Sequence, residues 1–237
     1  MMQNEIVSRL NNHTAEFYNV VPFQIGTDKI AALDLSANNK SFTDVIYQDL
    51  ELFTQYINDQ RRKADARYLL GGYAEVREMY RRSNLFDRNQ SDHHTINEEP
   101  RSLHLGIDIW GEAGTPVFAP LGGMVHSFAF NNQLGDYGAT IILQHQLETI
   151  NFFTLYGHLS LADISGLRTG RFYTRGETIA HFGNPEENGH WPPHLHFQLV
   201  LDMGIAEGDY PGVCKPSEAG KYLENSPDPS FLLNFGH

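Results

Sequence analysis

The stretch HWPPHLHFQLV, His190 to Val200, holds three histidines in seven residues. A strand repeats every two residues, so His194 and His196 project from one face, their Cβ atoms roughly 6–7 Å apart. One imidazole can then bind a metal while its neighbour faces a substrate; equally, an H-x-H pair can decorate an open sheet face. Pro192 and Pro193 supply no amide donors and stiffen the approach to the strand. That places the segment at a sheet edge, with Trp191 and Pro192 as candidate walls of a substrate cleft. Trp191 is equally able to anchor its loop in the core.

A second group lies upstream. His104 and Asp108 are four residues apart, about 13 Å in a fully extended strand, which is too far for one small ion. Gly106 stands between them and can adopt backbone angles that bend the chain. With such a bend an imidazole and a carboxylate converge. Two histidines and one aspartate are a sound zinc ligand set, with a fourth position left for water.

From Leu103 onward, short apolar runs such as TPVFAP, GATIILQH, INFFTLYGHL and HLHFQLVL alternate with Gly, Pro and Asn turns. These are strand-length pieces, mostly of antiparallel style, and no long helical stripe separates them as an α/β sheet would require. Residues 1–100 differ. VVPFQI (20–25) reads as a short strand. A helix near 42–60 is expected, with Ser41 as N-cap, Asp44 as its capping-box partner and a stripe through Val45, Ile46, Leu50, Phe53, Tyr56 and Ile57. The run DRNQSDHHTINEE (87–99) reads as an exposed loop. The division expected is a 1–100 extension packed on the core through its single helix, and a 101–237 domain that includes a C-terminal wrap.

Composition narrows the partners. Against 17 Lys+Arg stand 29 Asp+Glu, a net charge of -12, which repels nucleic acid and anionic membrane. Cys214 is the sole cysteine, so neither an intrachain disulfide nor a cysteine metal cluster forms. The first twenty residues hold no continuous apolar stretch of signal-peptide type, and no run is long enough to span a membrane. A cytoplasmic location is the expectation. His145 reads as a structural, hydrogen-bonding histidine.

HLGID (104–108), TPVFAPLGGMV (115–125), DYG (136–138), LYGHLS (155–160) and HLHF (194–197) occur in the order found in the M23 metallopeptidases of LytM or lysostaphin type, which residues 101–201 resemble. The resemblance implies a mainly β fold: an antiparallel barrel-sandwich, or duplicated hybrid-motif, metallopeptidase domain, here with an N-terminal α/β extension. It implies Zn2+ held by His104, Asp108 and His196, with His158 and His194 as catalytic residues flanking a bound water. The implied activity is that of a zinc endopeptidase acting on a peptide or peptidoglycan-like substrate. Departures are visible: NPEENGHWPP replaces the family's usual small-residue loop, so His190 and Trp191 line a different rim, and the N-terminal hundred residues are not its usual accessories. WPPHLHFQL and the closing SPDP are similar to a cytoplasmic branch in which this domain sits beside kinase-like and aminotransferase domains. No H-E-x-x-H motif occurs, which excludes a thermolysin mechanism. Two other readings stand beside the peptidase: a catalytically silent peptide-binding module on the same fold, and a phosphotransferase IIA-like domain using paired histidines. Oligomeric state is not legible.

Overall fold

The computed structural model describes residues 2–86 and 99–235. Most of the polar run expected as an exposed loop, with His93 and His94, lies outside the described residues. The elements in chain order are α1 (Met2–Asn11), β1 (Ile30–Leu33), α2 (Asp44–Gln48), α3 (Leu50–Lys63), β2 (Tyr68–Gly71), β3 (Leu103–His104), β4 (Ile107–Trp110) and β5 (Pro116–Phe118). They continue with β6 (Gly123–Asn131), β7 (Gly138–Leu147), β8 (Ile150–Leu159), α4 (Leu161–Ile164), β9 (Phe172–Tyr173), β10 (Thr178–His181), β11 (His194–Val200), β12 (Val213–Cys214) and α5 (Ala219–Asn225). This is a mixed α/β fold with a β-rich core.

Eight strands form one sheet in the order β1-β2-β4-β11-β8-β7-β6-β9, and β10-β5 and β12-β3 form two small ribbons. Among the described residues the β1–β2 pair is parallel and the remaining pairs are antiparallel. The two strands from residues 1–100 extend the same sheet, since β2 pairs with β4 from Leu69↔Trp110 to Gly71↔Asp108.

Strand alternation sorts the side chains. Ile107, Ile109, Leu195, Phe197 and Leu199 enter the main apolar core with Ile141, Leu143, Phe152 and Tyr156. A second core gathers Phe42, Phe53, Ile57, Trp110 and Trp191; α3 turns Phe53 and Ile57, one helical turn apart, into it. Phe53 packs on Trp110 with ring centroids 5.5 Å apart.

The single helix expected near 42–60 is two helices. Asp49 breaks it: its carboxylate accepts from the amides of Glu51 and Leu52 and caps α3, so a new helix starts there. Ser41 caps neither; its hydroxyl bonds Asn39 Oδ1 at 2.7 Å, and the residue before α2 is Thr43, whose side chain makes no cap bond. VVPFQI is not a strand either. Pro22 has no amide to offer a ladder, and Val20 and Val21 are buried in the main core.

His145 is a fully buried structural histidine. Its Nδ1 donates to the Gly122 carbonyl at 3.0 Å and its Nε2 lies 2.7 Å from Thr154 Oγ1. Burial lowers its pKa from 6.5 to about 4. The folded state therefore holds it neutral while the unfolded chain protonates near 6.5. Its contribution is complete above pH 6.5 and is lost as pH falls from 6.5 towards 4. The loss is on the order of 3 kcal/mol at one pKa unit per 1.36 kcal/mol. Denaturant titrations of wild type and His145→Gln at pH 7 and pH 5 should show a shallower acid loss in the variant; parallel losses would refute the assignment.

Candidate metal centre

β4 and β11 bring the chemistry together. Their register pairs His196 with Asp108 and His194 with Trp110, so Asp108, His194 and His196 share one face. His104 arrives from β3, which leaves the large sheet to pair with β12. Gly106 sits at that change of direction, and its role is steric rather than conformational: its φ is not among the positive ones, and a Cβ there would meet the His196 ring at 2.7 Å. Opposite His196 on β8 lies Gly157, where a Cβ would strike Tyr137 at 2.5 Å. Both glycines make room for rings.

His104 Nε2, Asp108 Oδ1 and His196 Nδ1 form a nearly equilateral triangle. The two histidine nitrogens are 3.0 Å apart, and each lies 3.2 Å from the carboxylate oxygen. Ligands at about 2.0–2.1 Å from a tetrahedral zinc are separated by about 3.3 Å, so the triangle has nearly the dimensions of one face of that tetrahedron. This His-Asp-His cluster is the group among the described residues whose donor atoms converge as metal ligands do.

The outer hydrogen bonds decide which atoms carry lone pairs. His104 Nδ1–H donates to the Gly72 carbonyl at 2.9 Å, which leaves Nε2 bare. His196 Nε2–H donates to Gln198 Oε1 at 2.9 Å, which leaves Nδ1 bare. The Gln198 amide is oriented by its own Nε2, which donates to the Pro211 carbonyl at 3.1 Å and to Ser226 Oγ at 2.9 Å. Two imidazole lone pairs and a carboxylate oxygen thus face one another, fully buried. Without a cation they repel; with one they are ligands. The residues fit zinc on this chemistry.

His158 and His194 stand beside the triangle, ring centroids 4.2 Å apart. His158 Nδ1–H donates to the Asn188 carbonyl at 2.7 Å and His194 Nδ1–H to the Pro192 carbonyl at 2.8 Å, so each keeps a bare Nε2. The His194 Nε2 lies 4.0 Å from Asp108 Oδ1, and its ring stacks on Trp110 at 3.9 Å. His158 has φ +64°, the left-handed region that a non-glycine residue enters at a cost. It sits where the β7–β8 register slips between Ala139 and Ile141, a bulge that re-aims its side chain. Burial, then the neighbouring His194 and His196, hold His158 well below the ordinary histidine range, and burial lowers His194 to about 4. For Asp108, burial pushes upward, but His104 and Arg77 outweigh it and keep the carboxylate well below its usual range.

A cavity of about 220 Å³ opens onto these groups. Asp108, His158, His194 and His196 are among its lining residues, together with Met79, Tyr80, Leu85 and Phe86 from the N-terminal segment. Trp191 lines it too, yet is only 2% exposed. It packs edge-on to Phe53 and Tyr80, with the Arg82 guanidinium 4.7 Å above its ring. Pro192, expected on the rim, is not among the lining residues and acts through its carbonyl on His194; exposed His190 is outside the lining as well. The edge position expected for this segment is also corrected. β11 lies between β4 and β8, because both prolines precede the first ladder residue, His194, and no ladder bond needs their missing amides. Trp191→Ala should therefore lower stability by about 3–5 kcal/mol, read as a fall in Tm; an unchanged Tm would contradict the packing.

Three residues of the centre had no assigned role in the sequence. Gln198 was accessible by alternation, two residues beyond His196. Tyr137, whose hydroxyl is 3.4 Å from His196 Nε2, sits within the DYG motif. Arg77, which bonds Asp108 Oδ2 at 2.5 Å, carries no sequence signal.

A two-histidine, one-aspartate cluster with two further imidazoles beside it is a metallopeptidase-type arrangement. Residues 102–205 match the model of Peptidase family M23, and it is that family which this span of the chain resembles. It is similar to the L-Ala–D-Glu endopeptidase of Bacillus subtilis strain 168, at 28% identity over 115 residues covering 46% of this chain and 33% of the relative. The chain thus spans about a third of that relative's length. Solved structures that resemble it include a zinc-containing peptidase from Vibrio cholerae (24% identity, TM-score 0.36, 52% of this chain and 35% of that one). Another is the catalytic domain of lysostaphin from Staphylococcus simulans (18% identity, TM-score 0.37, 71% and 97%).

Proposed function

We propose that this chain is a zinc-dependent endopeptidase that hydrolyses a peptide bond, with peptidoglycan-type peptides as its substrate class. The observation that carries the reading is the convergence of three bare ligand atoms within 3.0–3.2 Å, with two more imidazole lone pairs beside them. In this reading His104, Asp108 and His196 hold the metal, and the β-rich core is the barrel-sandwich, duplicated hybrid-motif form of the family fold. When bound, zinc would acidify water towards a pKa of about 7 and polarise the scissile carbonyl.

The remaining work belongs to the protein. His158 and His194 are anchored through their Nδ1 atoms, so rotation of either ring is opposed and each Nε2 is held towards the reacting centre. Between them they accept the proton of the attacking water and return it to the leaving amine, and an imidazolium so formed stabilises the developing oxyanion. The buried site excludes bulk water and strengthens these interactions. The substrate class draws on the name of the Bacillus relative and on the cavity, whose lining mixes apolar side chains that can accept an alkyl group with polar ones that can meet the peptide.

The test is metal content by elemental analysis together with cleavage of a peptide library that contains stem peptides with L-Ala–D-Glu bonds. Stoichiometric zinc with cleavage of stem peptides supports the proposal. Cleavage of ordinary L-peptides alone removes the peptidoglycan substrate class. Zinc without cleavage of any member leaves a silent peptide-binding module, and absence of zinc from the refolded, zinc-dialysed chain removes the metal centre itself.

A further inference from the structure

Arg77 is 0% exposed, and all three of its guanidinium nitrogens are engaged. Nη1 donates to Asp108 Oδ2 at 2.5 Å and to Tyr80 Oη at 3.3 Å. Nε donates to Glu75 Oε2 at 2.6 Å, and Nη2 donates to the Gly72 carbonyl at 3.3 Å. That same carbonyl accepts from His104 Nδ1. One turn, Gly71 to Arg77, therefore supplies the outer partner of two of the three candidate ligands, and it lies outside the residues that match the family model.

The turn is built to do this. Gly71 faces Asp108 across the β2–β4 ladder, and a Cβ there would lie 2.8 Å from Arg77 Nη2, so a side chain would displace the guanidinium. Backbone bonds lace the turn to the strand that carries His104: Ala74 N to His104 O at 3.0 Å, His104 N to Glu75 O at 3.0 Å, and Arg77 N to Ser102 O at 2.8 Å. A fully buried cation is costly unless paired, and Arg77 is paired to the carboxylate that faces the ligand triangle.

We infer that Arg77 and the Gly72 carbonyl are positioning groups of the metal centre. Arg77 occupies Asp108 Oδ2, which leaves Oδ1 alone to bind metal and keeps a coordination position open; it also withdraws negative charge from the site. Gly72 sets the tautomer and ring plane of His104. The N-terminal extension is thereby part of the metal centre, and residues 102–205 by themselves lack the groups that orient two of its ligands. The inference rests on the zinc reading of the preceding section.

The experiment measures zinc affinity by chelator competition on the full chain. Arg77→Met combined with Glu75→Gln removes the cation without leaving Glu75 charged and unpaired. Loss of an outer partner typically weakens metal binding by about 10–100-fold, and that loss is expected here. Arg77→Lys keeps the charge but not the planar fork and should recover part of it. Ile57→Ala is the control: it loosens the apolar cluster that holds Tyr80, a partner of Arg77, without touching a ligand, and its zinc affinity should match wild type. Cobalt-substituted double variant should show weaker visible absorption, as a released carboxylate turns bidentate.

Wild-type affinity in the double variant overturns the inference, as does an equal loss in Ile57→Ala, which would reduce the effect to packing. If the double variant does not fold, Arg77→Lys decides: weakened affinity supports the role and unchanged affinity overturns it. A wild-type chain that binds no zinc fails the metal reading itself, a result distinct from any of these.

Discussion

His196→Ala should yield a chain that binds no stoichiometric zinc and cleaves no peptide. The triangle has three corners and this variant removes one. What remains, His104 Nε2 with Asp108 Oδ1, is a two-point site, and the loss in affinity should exceed the roughly 10–100-fold typical of an outer partner. Stability supplies an independent readout. In the wild type, a metal that binds the folded chain alone raises Tm, and it also relieves the repulsion among three facing acceptors. Adding zinc should therefore raise the wild-type Tm and leave that of His196→Ala unchanged. Elemental analysis and differential scanning calorimetry would check both. Retention of tight zinc by the variant would mean that another group, with His194 the nearest candidate, is the third ligand.

His158→Ala should separate chemistry from metal binding: full zinc content with kcat/KM lowered by about 10²–10⁴-fold, the usual contribution of a positioned proton-transfer group. The His158 Nδ1 is committed to the Asn188 carbonyl, and its ring is farther from His196 (6.3 Å) than from His194 (4.2 Å), so the ring lies beside the ligand set. Its left-handed backbone complicates a simple alanine comparison, because alanine at φ +64° keeps the strain and loses the anchoring bond. His158→Asn is the better companion, since asparagine tolerates that conformation yet cannot transfer a proton near neutrality. Both variants should retain zinc and lose turnover. Zinc loss in both would place His158 among the ligands, and near-normal turnover in both would remove it from the chemistry.

The candidate site was legible in the sequence because it rests on short-range regularities. The two-residue strand period places His194 and His196 on one face whatever the rest of the chain does. His104 and Asp108 sit together in HLGID, and the ordered motifs then assign each a partner. The glycine between them is legible too, but for a different reason: the sequence suggests backbone freedom, whereas the structure uses the missing Cβ to admit the His196 ring. His145 is likewise readable as a structural histidine from its place at a strand end.

Other features were not. A helical stripe from Val45 to Ile57 does not reveal that Asp49 will cap a second helix, because capping competes with helix continuation and an aspartate can serve either. The two prolines suggested an edge, since proline cannot donate to a ladder, but the ladder begins one residue later and the penalty never arises. Of the two readings of Trp191, the structure shows the core anchor: the ring is buried in the second core, where it also borders the cavity.

The sequence by itself determined a β-rich domain, a His/Asp metal chemistry and the identity of the residues that converge, since strand alternation and motif spacing are local and survive without knowledge of distant contacts. Tertiary structure alone decided how those residues are held. The pairing of β2 with β4 joins the N-terminal region to the sheet, the turn before Arg77 delivers a guanidinium to Asp108, and the bulge on β8 turns His158 towards the site. Each depends on contacts between segments 30 or more residues apart, or on a backbone register slip, and neither leaves a periodic trace in the chain.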